Sequence, residues 1–122
     1  PLAISHETRL FLKETMKAVA QEGGTAQILK DLEHFNIRAK TSTAQTSKLS
    51  NRKQGKKHLE HGWFAANFQY KDNEPLTLII LIENSGNTRL SLMVAKAFLK
   101  RYANLIDLRK KRKASTNKKT DS

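Results

Sequence analysis

Residues 63–83, WFAANFQYKDNEPLTLIILIE, decide the fold class. Trp63 to Tyr70 is rich in aromatic residues and is bounded by Gly62 and by Lys71-Asp72-Asn73, turn chemistry that leads into Pro75. Leu76 to Glu83 is a nearly unbroken apolar run with Ile79, Ile80 and Ile82, the pattern of a strand buried on both faces. The short connection Lys71 to Glu74 makes the two an antiparallel hairpin. Upstream, Asn36 to Gln45 carries the β-branched Ile37, Thr41 and Thr43 and predicts a further strand. Before it, Ser5 is a helix N-cap candidate and Glu7 suits a first turn; Leu12, Met16 and Val19 then recur at helical spacing until Gly23-Gly24. Thr25 to Leu32, with Ala26, Ile28 and Leu29, predicts a second, shorter helix. Downstream, Asn84-Ser85-Gly86-Asn87 breaks the hairpin strand. Leu90, Met93, Val94, Ala97, Phe98, Tyr102 and Leu105 then mark one wide face of a long helix, opposite Arg89, Lys96 and Lys100. The expected fold is α+β, an antiparallel sheet flanked by helices.

At 122 residues the chain has the size of one domain and needs no disulfide or metal to hold a core. It has no cysteine, which excludes a disulfide framework and a thiol nucleophile. Its longest strongly apolar run, Leu76 to Ile82, is far short of the about 20 residues that cross a bilayer as a helix. It begins with Pro1, so the expectation is a chain whose upstream part has been removed. The net charge of +12 is concentrated in two places. Arg109 to Ser122 holds Arg109, Lys110, Lys111, Arg112, Lys113, Lys118 and Lys119 against Asp121 alone. Lys48 to Lys57 holds Lys48, Arg52, Lys53, Lys56 and Lys57 with no acid. The rest is nearly neutral, so the basic residues belong to flexible, solvated segments. Residues 1–108 are expected to form the folded part, and 109–122 a basic disordered tail that has too little apolar surface to offset the entropy of ordering.

No G-x-S-x-G elbow, Walker loop, H-E-x-x-H helix or cysteine motif occurs. His58 and His61 are three apart, but they sit at a loop-to-strand junction and not on a helix that would turn both to one metal, so no metal and no cofactor is expected. His6 and His34 read as surface or boundary residues. Lys40-Thr41-Ser42-Thr43-Ala44-Gln45 differs in kind: a lysine followed by hydroxyls on a strand presents a cation and alcohols to an anionic group.

That string resembles the Lys-Thr/Ser-Gly-Thr motif of the serine acyl-transferases that include penicillin-binding proteins and β-lactamases. Its flanks sharpen the resemblance to class B penicillin-binding proteins. Gly24-Thr25-Ala26 and the helix before it are similar to the segment preceding the motif. His61-Gly62-Trp63-Phe64-Ala65 is similar to their His-Ala-Trp-Phe strand, and the apolar run ending in Glu83-Asn84 to the next one. The form from Ala39 to Gln45 leans toward the elongation-type penicillin-binding protein 2 group. The likeness runs from about Leu2 to Tyr102 and implies the C-terminal portion only of a transpeptidase domain.

The resemblance further implies a serine that attacks the D-Ala-D-Ala bond of a peptidoglycan stem peptide, releases D-alanine and passes the acyl group to an amine. β-Lactams would trap the acyl-enzyme. By position, Lys40 would supply positive charge and support proton transfer, Thr41, Ser42 and Thr43 would line the substrate, and the Thr43 backbone N–H would be one oxyanion donor. Ser42 stands where the family has glycine. Nothing before Lys40, where the family carries them, resembles its Ser-x-x-Lys or Ser-x-Asn/Asp motifs, so this chain alone lacks the nucleophile. It would need the missing N-terminal part of the same protein and would work in cell-wall and cell-shape synthesis at the periplasmic face of the inner membrane, held by an upstream anchor. Alone, such a half-domain would aggregate or stay molten. Two alternatives remain: a small basic nucleic-acid-binding protein using Trp63, Phe64, Phe68 and Tyr70 as stacking platforms, and a non-catalytic remnant of a transpeptidase gene.

Overall fold

The structure, a computed structural model, describes residues 3–120, with side chains through Thr116. Pro1, Leu2, Asp121 and Ser122, which the two expected segments include, lie outside the described residues. Helix α1 spans His6–Ala18, and Ser5 caps it by accepting the Thr8 N–H at 3.1 Å. A 3-10 helix follows at Gln27–Phe35, kinked at Leu32 and ended by Asn36 in the left-handed conformation. Strands β1 (Arg38–Ala44), β2 (His61–Phe68) and β3 (Leu76–Ile82) form one antiparallel sheet in the order β1-β2-β3. Helix α2 runs from Arg89 to Thr120. The α+β class and the antiparallel sheet expected from the sequence are both present.

Alternation along the strands divides the sheet into two faces. Ala39 lies opposite Ala66, and Thr41 opposite Phe64; Phe64 and Ala66 lie opposite Ile80 and Leu78. This face is covered. Phe64, Ala66 and Phe68 pack with Leu29, Leu32 and Phe35 of the 3-10 helix and with Leu92, Ala95 and Leu99 of α2 in one core. Each large side chain buried there contributes about 1.5–3 kcal/mol. The other face carries Lys40 and Ser42 of β1, Trp63 and Ala65 of β2, and Ile79 and Leu81 of β3. It is open: Ile79 is 62% exposed.

Two expectations are corrected. β3 is covered on one face only, because no described element lies over the other. α2 does not turn its bulkiest stripe to the sheet: Leu90, Met93, Val94, Ala97, Phe98 and Leu105 are exposed, and Ser91, Leu92, Ala95 and Leu99 are buried. The sheet already supplies bulk in Phe64 and Phe68, so small residues on the helix let it come close enough to fill the space between. Helix α2 itself runs on through the basic segment from Arg109 to Thr120. An existing helix removes the cost of nucleation, and Lys, Arg and Ala are good helix formers.

Ion pairs fasten α2 at two levels. Lys96 Nζ lies 2.8 Å from Asp31 and donates to the Ile28 carbonyl, tying α2 to the 3-10 helix. Near its middle, Asp107 accepts from Tyr70 Oη at 3.0 Å and from Lys71 Nζ at 2.6 Å, at the β2–β3 turn. Lys96 holds the Asp31 carboxyl below its usual range, and Lys71 does the same for Asp107, while Asp107 raises Lys71. No described helix is long and apolar enough to cross a membrane.

Candidate functional site

Among the described strands β1 is an edge, so alternate N–H and C=O groups of the Lys40 to Thr43 segment face away from β2. Lys40 and Ser42 share the open face; Thr41 and Thr43 share the covered one, at the end where the core thins and Thr43 is exposed. Lys40 is exposed, and its Nζ donates to the Thr41 carbonyl. Ser42 is exposed beside Trp63, so the side chain in place of glycine points into free space and not into the core.

Three supports hold this strand, and sequence reasoning assigned a role to none of them. Thr25 Oγ1 lies 2.8 Å from Thr41 Oγ1, joining the Gly24-Thr25-Ala26 turn to the motif. That turn is pinned by the Ala26 N–H donating to Val19 O at 2.8 Å. A Cβ at Gly24 would meet the Ala18 and Val19 carbonyl oxygens at 2.4 Å, which is why glycine stands there. The only sequence signal for the Thr25–Thr41 pair is a hydroxyl next to a glycine turn.

Gly62 pairs with Thr43 across β1 and β2, and a Cβ on it would lie 2.2 Å from the Asn87 carbonyl oxygen. The absent side chain lets the turn after β3 pass directly behind Thr43. Asn84, at φ 52°, anchors this turn: its N–H donates to His61 Nδ1 at 2.9 Å and its amide to the Lys57 and Leu59 carbonyls. His61 is therefore an acceptor in a structural contact, and His58 bonds through its backbone, its N–H donating to the Gly55 carbonyl and its carbonyl accepting from Ser47.

The basic β1–β2 connection is also fastened. It forms two short 3-10 helices, Leu49–Gln54 and Lys56–His58, and Arg52 reaches the buried Glu60 at 3.2 Å. Glu60 Oε2 accepts no hydrogen bond, so Arg52 compensates its charge without being aligned to donate. Of the four aromatic residues of β2 and its end, Phe64, Phe68 and Tyr70 are buried, and Trp63 alone faces outward.

A family model for the penicillin binding protein transpeptidase domain matches residues 2–104. The chain belongs to this family. The transpeptidase match covers α1, the whole sheet and the first half of α2, and it stops before the basic continuation of that helix. Neither a search of curated proteins nor a search of solved structures returns a match. The transpeptidase domain is consistent with the three-stranded sheet and its helices, and the Lys-Thr-Ser-Thr strand lies within the matched region.

Proposed function

We propose that this chain supplies one wall of the active site of a serine-type D,D-transpeptidase that cross-links peptidoglycan at the outer face of the inner membrane. The observation that carries the reading is the placement of Lys40 on the open face of an edge strand, next to hydroxyls held by the Thr25 contact. An open apolar face around a lysine suits a second half-domain bearing the nucleophile. In this reading Lys40 supports proton transfer to and from that serine. Thr41, Ser42 and Thr43 line the site for the substrate or β-lactam carboxylate. The Thr43 N–H stabilises the tetrahedral oxyanion, a contribution of about 10²–10³ in rate for one donor. Upstream residues of the same protein supply the Ser-x-x-Lys and Ser-x-Asn/Asp motifs and the membrane anchor.

The test has two parts. The reading frame upstream of Pro1 should encode both motifs in frame. The longer protein should then take up a fluorescent penicillin in a bond that survives denaturation, and Lys40→Ala should slow uptake by about 10²-fold or more. A stop codon before any such motif, or unchanged labelling in the Lys40 variant, would sink the reading and favour a non-catalytic remnant.

A further inference from the structure

Beyond Ile106, α2 leaves the core. Leu105 and Leu108 are 43% and 53% exposed, and every described side chain from Leu108 to Thr116 is exposed. Arg109, Lys110, Lys111, Arg112 and Lys113 follow without interruption, and among the described residues none of the five makes an ion pair. The neighbouring carboxylate, Asp107, is already held by Lys71 and Tyr70. Like charges three and four apart on a helix repel one another, a cost that an opposing charge offsets. Arg109, Lys110, Arg112 and Lys113 also line, with Asn73 and Ile106, an open groove of about 450 Å³. The family match ends at residue 104, so this basic segment lies outside what the transpeptidase model describes.

We infer that residues 105–116 form a docking site for an anionic phospholipid surface. Leu105, Leu108 and Arg112 follow the three- and four-residue spacing of one helix side, so apolar and cationic groups meet the same plane. No large apolar residue follows Leu108, which makes the attachment a surface one without insertion. Nucleic acid is the weaker fit, because Phe64, Phe68 and Tyr70 are in the core and Trp63 lies on the sheet face that α2 does not cover, so none of these four rings is a stacking platform beside the basic residues. The outer-face location proposed above enters only in preferring lipid to nucleic acid. Docking would hold the β2–β3 turn, through Asp107 and Lys71, close to the membrane.

Flotation of the 122-residue chain with vesicles tests this, because bound protein rises while aggregate sinks. The chain should float with phosphatidylcholine vesicles containing phosphatidylglycerol at low salt, and not with phosphatidylcholine alone. Replacing Lys110, Lys111, Arg112 and Lys113 by Gln should lower the partition by about 10²-fold or more, from roughly fivefold per basic residue near the surface. The matched replacement of Lys48, Lys53, Lys56 and Lys57 by Gln should leave it near the original value. Equal losses from the two sets, no loss from the first, or equal flotation on neutral vesicles would each overturn the inference. So would displacement from the vesicles by single-stranded DNA at equal phosphate concentration. Penicillin labelling of the longer protein, which reads the transpeptidase proposal, is independent of all these outcomes.

Discussion

Gly62 and Thr25 show how much of the motif strand's setting depends on single atoms outside it. Gly62→Ala would push a methyl group into the Asn87 carbonyl, so the turn behind Thr43 must shift. The expected loss is about 1–3 kcal/mol, the usual cost of overpacking, read as a lower urea midpoint in dilute protein. An unchanged midpoint would mean that the turn moves away freely. Thr25→Val keeps the shape of the side chain and deletes the hydroxyl that lies against Thr41. It should cost about 0.5–1.5 kcal/mol, one hydrogen bond, in the same measurement. In the longer protein it should slow penicillin uptake if Thr41 must be held in place; wild-type uptake would show that the pair serves stability alone. The Lys-Thr-Ser-Thr string itself was legible in the sequence because chemistry-bearing residue types stand next to one another. Its supports were not, since Thr25 is far from Thr41 along the chain and they meet only in the fold.

At the scale of elements, boundaries followed local chemistry closely. Ser5 capped α1, the Lys71 to Glu74 turn made the hairpin, and the Asn84 to Asn87 break ended β3. The facing of α2 did not follow. Its sequence carries two apolar stripes, and the larger one points outward. The contact between α2 and the β2–β3 turn makes a pH-dependent prediction. The Asp107 carboxyl is depressed by Lys71, so its contribution is present above the unfolded carboxylate value of about 3.9 and is lost as pH falls through the folded value. Lys71 is raised by Asp107, so its contribution is present below about 10.4 and is lost as pH rises through the folded value. Both groups are exposed, so the effect is shallow and screened by salt. The protection factors of the α2 amides around Asp107, with intrinsic exchange divided out, should fall toward both ends of this window, and Asp107→Asn should flatten the dependence. Unaltered exchange in that variant would exclude the contact as its source.

For the whole molecule, the exposed residues matter as much as the core. Trp63, Ile79 and Leu81 on the open sheet face, Leu90, Met93, Val94 and Phe98 on α2, and Leu10, Phe11 and Leu12 on α1 are all exposed. A continuous core exists around Phe35, Phe64 and Phe68, so self-association, with packing retained, is the expected behaviour of the isolated chain. Light scattering should rise with concentration and a hydrophobic dye should bind; a monomer at high concentration with no dye binding would contradict this. The fold class, the order of the elements, the transpeptidase resemblance and the motif strand were determined by the sequence alone. They rest on periodicity, turn residues and short strings, all of which are local along the chain. Which stripe of α2 is buried, which sheet face is left open with Lys40 on it, and how Thr25, Gly62 and Asn84 support the motif were decided only by the tertiary structure. Each depends on complementary volumes and on hydrogen-bond partners distant in sequence, and such partners become neighbours only when the chain packs.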